Sequence, residues 1–238
     1  MIISSSFTIV TKHIESEGDL KELEESYRLR YKIYCQEAQF LNKEDYPEGK
    51  EFDEYDLHSE HIVAQHVDDA NKGAVVGTIR LVNFTDQLGF PTGEHYPQLY
   101  ELIPSIDHHE ISEISRLCIA QEFRRRLADK DGLYGIESYL AEQQDERRKY
   151  PVILLHLFKK MYIVSKQKGI RYWLASMEDS LFKVLSKYGV RFQAIGENYI
   201  EYYGRVRPYI AEMTQLEEMM SEHRPDLWPF FCDVQNVP

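Results

Sequence analysis

Three stretches decide the fold: His61–Val67 (HIVAQHV), Ala74–Val82 (AVVGTIRLV) and Glu113–Ala120 (EISRLCIA). The first two are short runs rich in β-branched residues, separated by the polar turn Asp68–Gly73, and they read as an antiparallel hairpin. The third is a further strand. Upstream, Phe7–Thr11 (FTIVT) reads as a strand and Leu20–Cys35 as an amphipathic helix with Leu23, Tyr27, Tyr31 and Tyr34 on one side. Downstream, residues 84–109 carry several Gly and Pro and read as loop. Val152–Lys168 is a helix begun after Pro151 and stopped at Gly169. Arg171–Ser176 is a strand, and Asp179 is placed to cap a helix over Leu181–Tyr188, which ends at Gly189. Arg191–Ile195 and Tyr199–Tyr203 read as the last strands and Thr214–His223 as a closing helix. The order is strand, helix, hairpin, strand, helix, strand, helix, strand, strand. That is a mixed α/β order, not a regular doubly wound one.

The 238 residues suit one domain over 1–238, with the charged segment at about 123–150 as an insertion. Hydrophobic residues make up 43 %, enough for a core, and the 17 Tyr and 11 Phe suit an apolar cleft as well. A formal charge of −12 excludes attraction to nucleic acid or an anionic membrane through the general field. Cys35, Cys118 and Cys232 are odd in number and widely spaced, which fits reduced thiols in a cytoplasmic protein. The N-terminus lacks a basic n-region and a long apolar run, and no stretch reaches membrane-spanning length.

Four constellations carry chemistry. Arg30 precedes Tyr34 by four residues, and Phe40 follows six later. By itself that pattern also describes an ordinary helix with a surface Arg. Glu51–Asp56 (EFDEYD) is an acidic loop followed by His58 and His61, so hard oxygen ligands and imidazoles stand close. Their spacing matches no closed metal site, and no catalytic metal is expected there. Gly77-Thr-Ile-Arg80 puts a cation inside a buried strand, where it needs a carboxylate partner, and the acidic loop can supply one. Glu113-Ile-Ser-Arg116 spaces two charges three apart; on a regular strand they face opposite ways, and a bulge would bring them nearer.

Taken together, Arg30, Tyr34, Phe40, Asp53, Asp56, Arg80, Glu113 and Arg116 resemble, in order, the motif of the acyl-homoserine lactone synthases, with Phe40 where that family usually has Trp. Pro151-Val-Ile-Leu-Leu, Tyr172-Trp-Leu-Ala-Ser-Met-Glu and Ile200-Glu-Tyr-Tyr-Gly-Arg-Val-Arg-Pro-Tyr-Ile look like the acyltransferases associated with exosortase protein-sorting systems, as does Tyr46-Pro-Glu-Gly ahead of Asp53-Glu-Tyr-Asp. The N-acyl amino acid synthases share this architecture. The resemblance implies a GNAT-like fold, a splayed mixed sheet flanked by helices. It also implies transfer of a fatty acyl group from a thioester to the amine of an amino acid or related small molecule. No cofactor is expected to be bound permanently; the acyl-phosphopantetheine thioester, on acyl carrier protein or coenzyme A, is a substrate.

In that scheme Glu113 is the base, and backbone N–H groups near Arg116 stabilise the oxyanion. Arg30, Arg80 and Arg116 anchor the acceptor's carboxylate; Asp53 and Asp56 hold its ammonium or orient those arginines; Tyr34 and Phe40 wall the site. The place of the glycine-rich phosphate loop holds Phe123 and then Arg124, Arg125 and Arg126, which favours acyl carrier protein docking on those arginines. Two rivals stand beside this scheme: a covalent acyl-enzyme on Cys118 with His108 or His109, and a non-catalytic acyl-chain-binding sensor or scaffold.

Overall fold

A computed structural model describes residues 7–67, 73–103, 105–121, 152–202 and 204–232. The expected insertion, with Arg124, Arg125 and Arg126, lies outside the described residues. The elements are β1 (Phe7–His13), α1 (Glu17–Glu22), α2 (Glu24–Tyr31), β2 (Ser59–His66), β3 (Val75–Asn83), α3 (Pro91–His95), α4 (Leu99–Leu102), β4 (Ile111–Ile119), α5 (Val152–Gln167), β5 (Tyr172–Met177), α6 (Asp179–Lys187), β6 (Gln193–Ala194), β7 (Ile200–Glu201), β8 (Arg205–Glu212), α7 (Met213–His223) and α8 (Trp228–Cys232). The sheet runs β1-β2-β3-β4-β5-β8-β6, with β7 added on β8; β4 and β5 are parallel and the other pairs antiparallel.

Hairpin β2–β3 forms as its alternation predicts, with Ile62 opposite Ile79 and both side chains fully buried. Helices α5, α6 and α7 cover one face of the sheet through Leu154, Leu157, Phe158, Leu185 and Leu216. Gly77 makes the contact with α5 possible: a Cβ there would lie 2.9 Å from Ile153 Cγ2 and 3.3 Å from the Cys118 carbonyl oxygen. The other face is covered by α2 and by the segment around α3 and α4.

Four expectations need correction. The helix expected over Leu20–Cys35 ends and restarts at Leu23, then passes into a π-helical turn at Lys32–Glu37. That turn carries an extra residue, so Ile33, Tyr34 and Cys35 are all buried in succession, which a 3.6-residue period cannot produce. Residues 84–109 are not bare loop: α3 and α4 pack Phe90, Tyr96, Leu99 and Ile103 against Ile111 and Leu174. Asp179 is the first helical residue rather than the cap, which is Glu178, and its carboxylate takes the Tyr199 hydroxyl at 2.8 Å. Finally, β8 is an internal eight-residue strand that Pro208 hides from a propensity reading. Pro208 sits opposite Ser176, and its carbonyl accepts the Ile195 N–H at 2.9 Å; the proline has no N–H to leave unpaired.

The central feature is the junction of β4 and β5. They pair only over Ile111–Ile114 and Tyr172–Ala175, although β4 continues to Ile119 and β5 to Met177. Beyond Ile114 and Ala175 the two strands part, and the gap opens into two adjoining cavities.

Candidate functional site

The bend of β4 has a local cause. Arg80 pairs with Ser115 and Thr78 with Cys118, so Arg116 and Leu117 together oppose the single residue Ile79. This is a β-bulge, and Arg116 occupies it at φ +52°. A non-glycine residue in the left-handed region costs on the order of 1–3 kcal/mol unless its surroundings hold it there. They do: Arg116 Nε donates to both Glu51 oxygens at 3.0 and 3.2 Å, and Nη2 donates to Asp53 Oδ2 at 2.8 Å.

These contacts belong to a closed ionic cluster. Arg30 donates through Nε to Glu51, and through Nη1 and Nη2 to Asp56 at 2.6 and 3.0 Å. Arg80 grips Asp53 with two bonds of 2.5 and 3.1 Å, approaches Asp56 at 2.8 Å, and donates from Nε to Ser115 Oγ at 3.0 Å. Three guanidinium groups thus face three carboxylates, and the formal charges cancel. Asp53 caps the turn Glu54–His58 by accepting the Tyr55 N–H, while Asp56 accepts the Asp53 N–H, so the acidic loop is rigid before it meets the arginines. Burial works against charge on Glu51, yet Arg116 and Arg30 outweigh it and pull its carboxyl down to about 2. Burial likewise opposes charge on Asp56, and Arg30 and Arg80 hold that group well below the usual carboxylate range.

Glu113 lives under the opposite regime. Its side chain is 1 % exposed, and burial pushes its carboxyl up to about 7. The N–H and hydroxyl of Thr92 limit the rise, donating to Oε2 at 3.0 Å and to Oε1 at 2.9 Å. Arg80 and Arg116 also favour the negative form of Glu113, but their effect comes after the hydrogen bonds.

The cavities at the β4–β5 gap share Tyr34, Ile114, Ser115, Arg116, Ser176 and Met177. One runs on toward the apolar side chains of Phe158, Leu185 and Phe192. The other adds Phe40, Tyr202, Val206 and the two carboxylates Glu113 and Glu178. Tyr34 and Phe40 form the expected aromatic wall, with ring centroids 6.3 Å apart; the Arg116 guanidinium lies 5.7 Å from the Tyr34 centroid, and the Tyr34 hydroxyl reaches the Leu117 carbonyl at 3.3 Å.

Of the eight candidates, Tyr34, Phe40, Glu113 and Arg116 line the cavities, and Arg30, Asp53, Asp56 and Arg80 connect to them through the ionic cluster at Arg116. Arg30, Arg80 and Arg116 meet Asp53 and Asp56, while Glu113 stands apart on the cleft wall. Of the two roles open to Asp53 and Asp56, the geometry supports orienting the arginines. Glu51 was missed as a site residue although it stands inside the quoted acidic run; a charge count, three arginines against two aspartates, signals it. Thr92 and Ser176 carry no such signal.

His61 is buried, its Nε2 is 3.0 Å from the Asp56 carbonyl, and burial pushes it down to about 4 against the pull of Asp56. His58 is exposed. Among the described residues no group of three or more His, Cys, Asp or Glu is placed to hold a metal ion. Cys118 is buried, and burial pushes its thiol up to about 12. Its suggested partners His108 and His109 both pack on Phe84, just before the far end of β4, about 20 Å away at the strand rise. The covalent scheme lacks both a thiolate and its base. No helix among the described residues is long and apolar enough to cross a membrane.

Comparison with known proteins bears on both fold and domain. Residues 29–130, less than half the chain, match the acetyltransferase (GNAT) domain model. Among solved structures, the CoA-dependent acyl-homoserine lactone synthase BjaI with SAM and isopentyl-CoA superposes with a TM-score of 0.64 at 19 % identity, covering 91 % of this chain and 89 % of that one. The acyl-homoserine lactone synthase LasI gives 0.57 at 18 %, covering 88 % and 91 %. FeeM, an N-acyl amino acid synthase from uncultured soil microbes, gives 0.57 at 14 %, covering 90 % and 98 %. No curated protein sequence matches the chain significantly. The parted β4–β5 junction and the matched segment agree: residues 29–130 are similar to the acetyltransferase (GNAT) domain, and the chain has the fold of those synthases.

Proposed function

We propose that the protein is an N-acyltransferase that moves a fatty acyl group from a phosphopantetheine thioester to the amine of an amino acid or related small molecule. The observation that carries this is the position of Glu113. Its carboxyl, poised near pH 7, stands on the wall of a cleft that opens by parting of two parallel strands. In this reading the acyl chain occupies the cavity toward Phe158 and Phe192, and the acceptor occupies the one beside Phe40 and Tyr202. Glu113 is the base for the amine's proton as nitrogen attacks the thioester carbon. The backbone N–H groups near the Arg116 bulge are the proposed donors to the oxyanion. Arg116 serves by holding that bulge in shape, so its role in the reaction is through the backbone.

The donor is an acyl carrier protein or coenzyme A thioester. Arg124, Arg125 and Arg126 are the proposed docking residues for the carrier protein. The motifs in both halves support kinship with the exosortase-associated acyltransferases. A sensor that only bound an acyl chain would gain nothing from a buried carboxyl kept near neutrality, which lowers stability at physiological pH. The test is a screen of medium- and long-chain acyl carrier protein and coenzyme A thioesters against the amino acids and S-adenosylmethionine, read by mass detection of the amide. Thioester consumption by the wild type and its loss in Glu113→Gln are expected. An equally active, folded Glu113→Gln variant would remove Glu113 from the mechanism.

A further inference from the structure

Glu113 faces a practical difficulty as a base. Its carboxyl is almost sealed, and both oxygens are occupied by Thr92: Oε2 by the N–H and Oε1 by the hydroxyl. Thr92 is itself fully buried. On its far side Thr92 Oγ1 lies 2.7 Å from Ser176 Oγ. Ser176 is half-buried on β5 and belongs to the wall of both cavities. The three groups come from β4, α3 and β5, so the chain Ser176–Thr92–Glu113 bridges the two strands where they part.

The polarity of this chain follows from its buried end. An ionised Glu113 has only acceptor sites, so the Thr92 hydroxyl must donate to it. Thr92 Oγ1 is then an acceptor, and the Ser176 hydroxyl donates inward to it. That leaves the Ser176 lone pairs directed toward the cleft, ready to accept. Thr92 is held in place for this duty. It occupies the first turn of α3 after Phe90 and Pro91, and the Gly93 N–H closes on the Phe90 carbonyl at 2.8 Å. The Tyr100 ring packs so tightly beside Gly93 that a Cβ there would come within 2.5 Å of its hydroxyl oxygen. The remaining ionisable groups that share the field of Glu113 are Arg80, Arg116, Tyr55 and Tyr100.

We infer that Ser176 is the group that receives the acceptor amine's proton, and that Thr92 relays it to Glu113. This rests on the acyltransferase reading above. As the nitrogen–carbon bond forms, the nitrogen's proton passes to Ser176 Oγ, the serine's own proton to Thr92 Oγ1, and the threonine's own proton to Glu113 Oε1. The carbon–sulfur bond then breaks, the thiolate leaves, and the proton now on Glu113 returns along the same path to the sulfur. Amide and thiol are the products, and all three side chains end as they began. Ser176 is thus a catalytic residue and Thr92 a positioning and relay residue.

The first test needs no substrate. In the unliganded protein, a pH jump across 7 is followed by infrared at the protonated-carboxyl band, assigned to Glu113 by its loss in Glu113→Gln. Ser176→Ala and Thr92→Val should slow protonation of that carboxyl by about tenfold or more. Thr92→Ser, which keeps the hydroxyl, should restore the wild-type rate. Equal rates in wild type, Ser176→Ala and Thr92→Val would overturn the relay. The second test is turnover of octanoyl-coenzyme A and octanoyl-acyl carrier protein with the amino acids: kcat should fall in Ser176→Ala with little change in KM for the thioester. Slowed protonation with unchanged kcat would show a proton path that catalysis does not use and would also overturn the inference. A wild-type protein that consumes no thioester, with the infrared result intact, would instead strike at the acyltransferase reading, and the catalytic role of Ser176 would fall with it. Ser176 lies on the cleft wall, so its alanine variant keeps the test open even where Thr92→Val unfolds.

Discussion

The ionic cluster and the Glu113 pocket meet on β4, where Arg116 and Glu113 stand three residues apart, and they treat a buried carboxylate in opposite ways. Glu51 is as buried as Glu113, yet its carboxyl is drawn down to about 2 while that of Glu113 is lifted to about 7. The difference is counter-charge. Glu51 lies between Arg30 and Arg116 in direct contact, whereas among the described residues Glu113 is hydrogen-bonded by the neutral donors of Thr92. Coulombic pairing at contact distance overcomes desolvation; two neutral hydrogen bonds only soften it. One region therefore sets shape and the other holds a proton near neutrality, a division that mutation can break or sharpen.

The largest effect belongs to the cluster. Glu51→Ala leaves Arg30 and Arg116 facing too few carboxylates and should cost about 3–5 kcal/mol of stability by chemical denaturation. It should also disturb the bulge at Arg116. A loss below about 1 kcal/mol would show that the cluster does not hold β4 in shape.

Glu113→Gln should do the reverse. It removes a charge that burial disfavours, so the variant should be more stable than wild type at pH 8 by on the order of 3 kcal/mol. Turnover should fall by about a hundredfold or more, about 2.7 kcal/mol of transition-state energy. A variant that loses stability at pH 8 would mean that the negative form is the one the fold prefers.

The pH dependence of the wild type separates the regions further. Glu113 has a folded value above its unfolded one, so its contribution is complete below about 4.5 and is lost as pH rises through about 7. Glu51 has a folded value below its unfolded one, so its contribution is complete above about 4.5 and is lost as pH falls through about 2. Because the ionised Glu113 is the active form, kcat should climb with pH to a plateau above about 7. The climb should vanish from the residual rate of Glu113→Gln. A pH-rate profile that is flat from 6 to 8 would remove Glu113 as the titrating base.

The smallest effect concerns the wall. Phe40→Ala trims one side of the cavity beside Gly204 and should raise KM several-fold, about 1 kcal/mol, with kcat little changed. An equal fall in kcat would place Phe40 at the reacting atoms instead.

Much of this was legible in the chain. The hairpin, the Glu113 strand and the helix after Pro151 declared themselves through local periodicity, because each buries one face or is buried throughout. The pairing of Arg80 with the acidic loop was legible too, since a cation inside an apolar strand demands a partner. The spacing of Glu113 and Arg116 raised a bulge only as a condition for the two to approach; the bulge lies at Arg116 and Leu117. Less visible were the π-helical turn after α2, which breaks the period being read, and β8, whose Pro208 argues against the strand it belongs to.

What the sequence by itself determined was the inventory: a mixed α/β order, three arginines and a run of acids to meet them, and one glutamate on a central strand. Only the tertiary structure decided which carboxylate is neutralised and which is hydrogen-bonded by neutral donors. Ionisation in the interior depends on contact distances of a few ångströms between residues as far apart in sequence as Glu51 and Arg116, or Thr92, Glu113 and Ser176. Those distances follow from where β4 bends and where it leaves β5, and no local pattern in the chain encodes them.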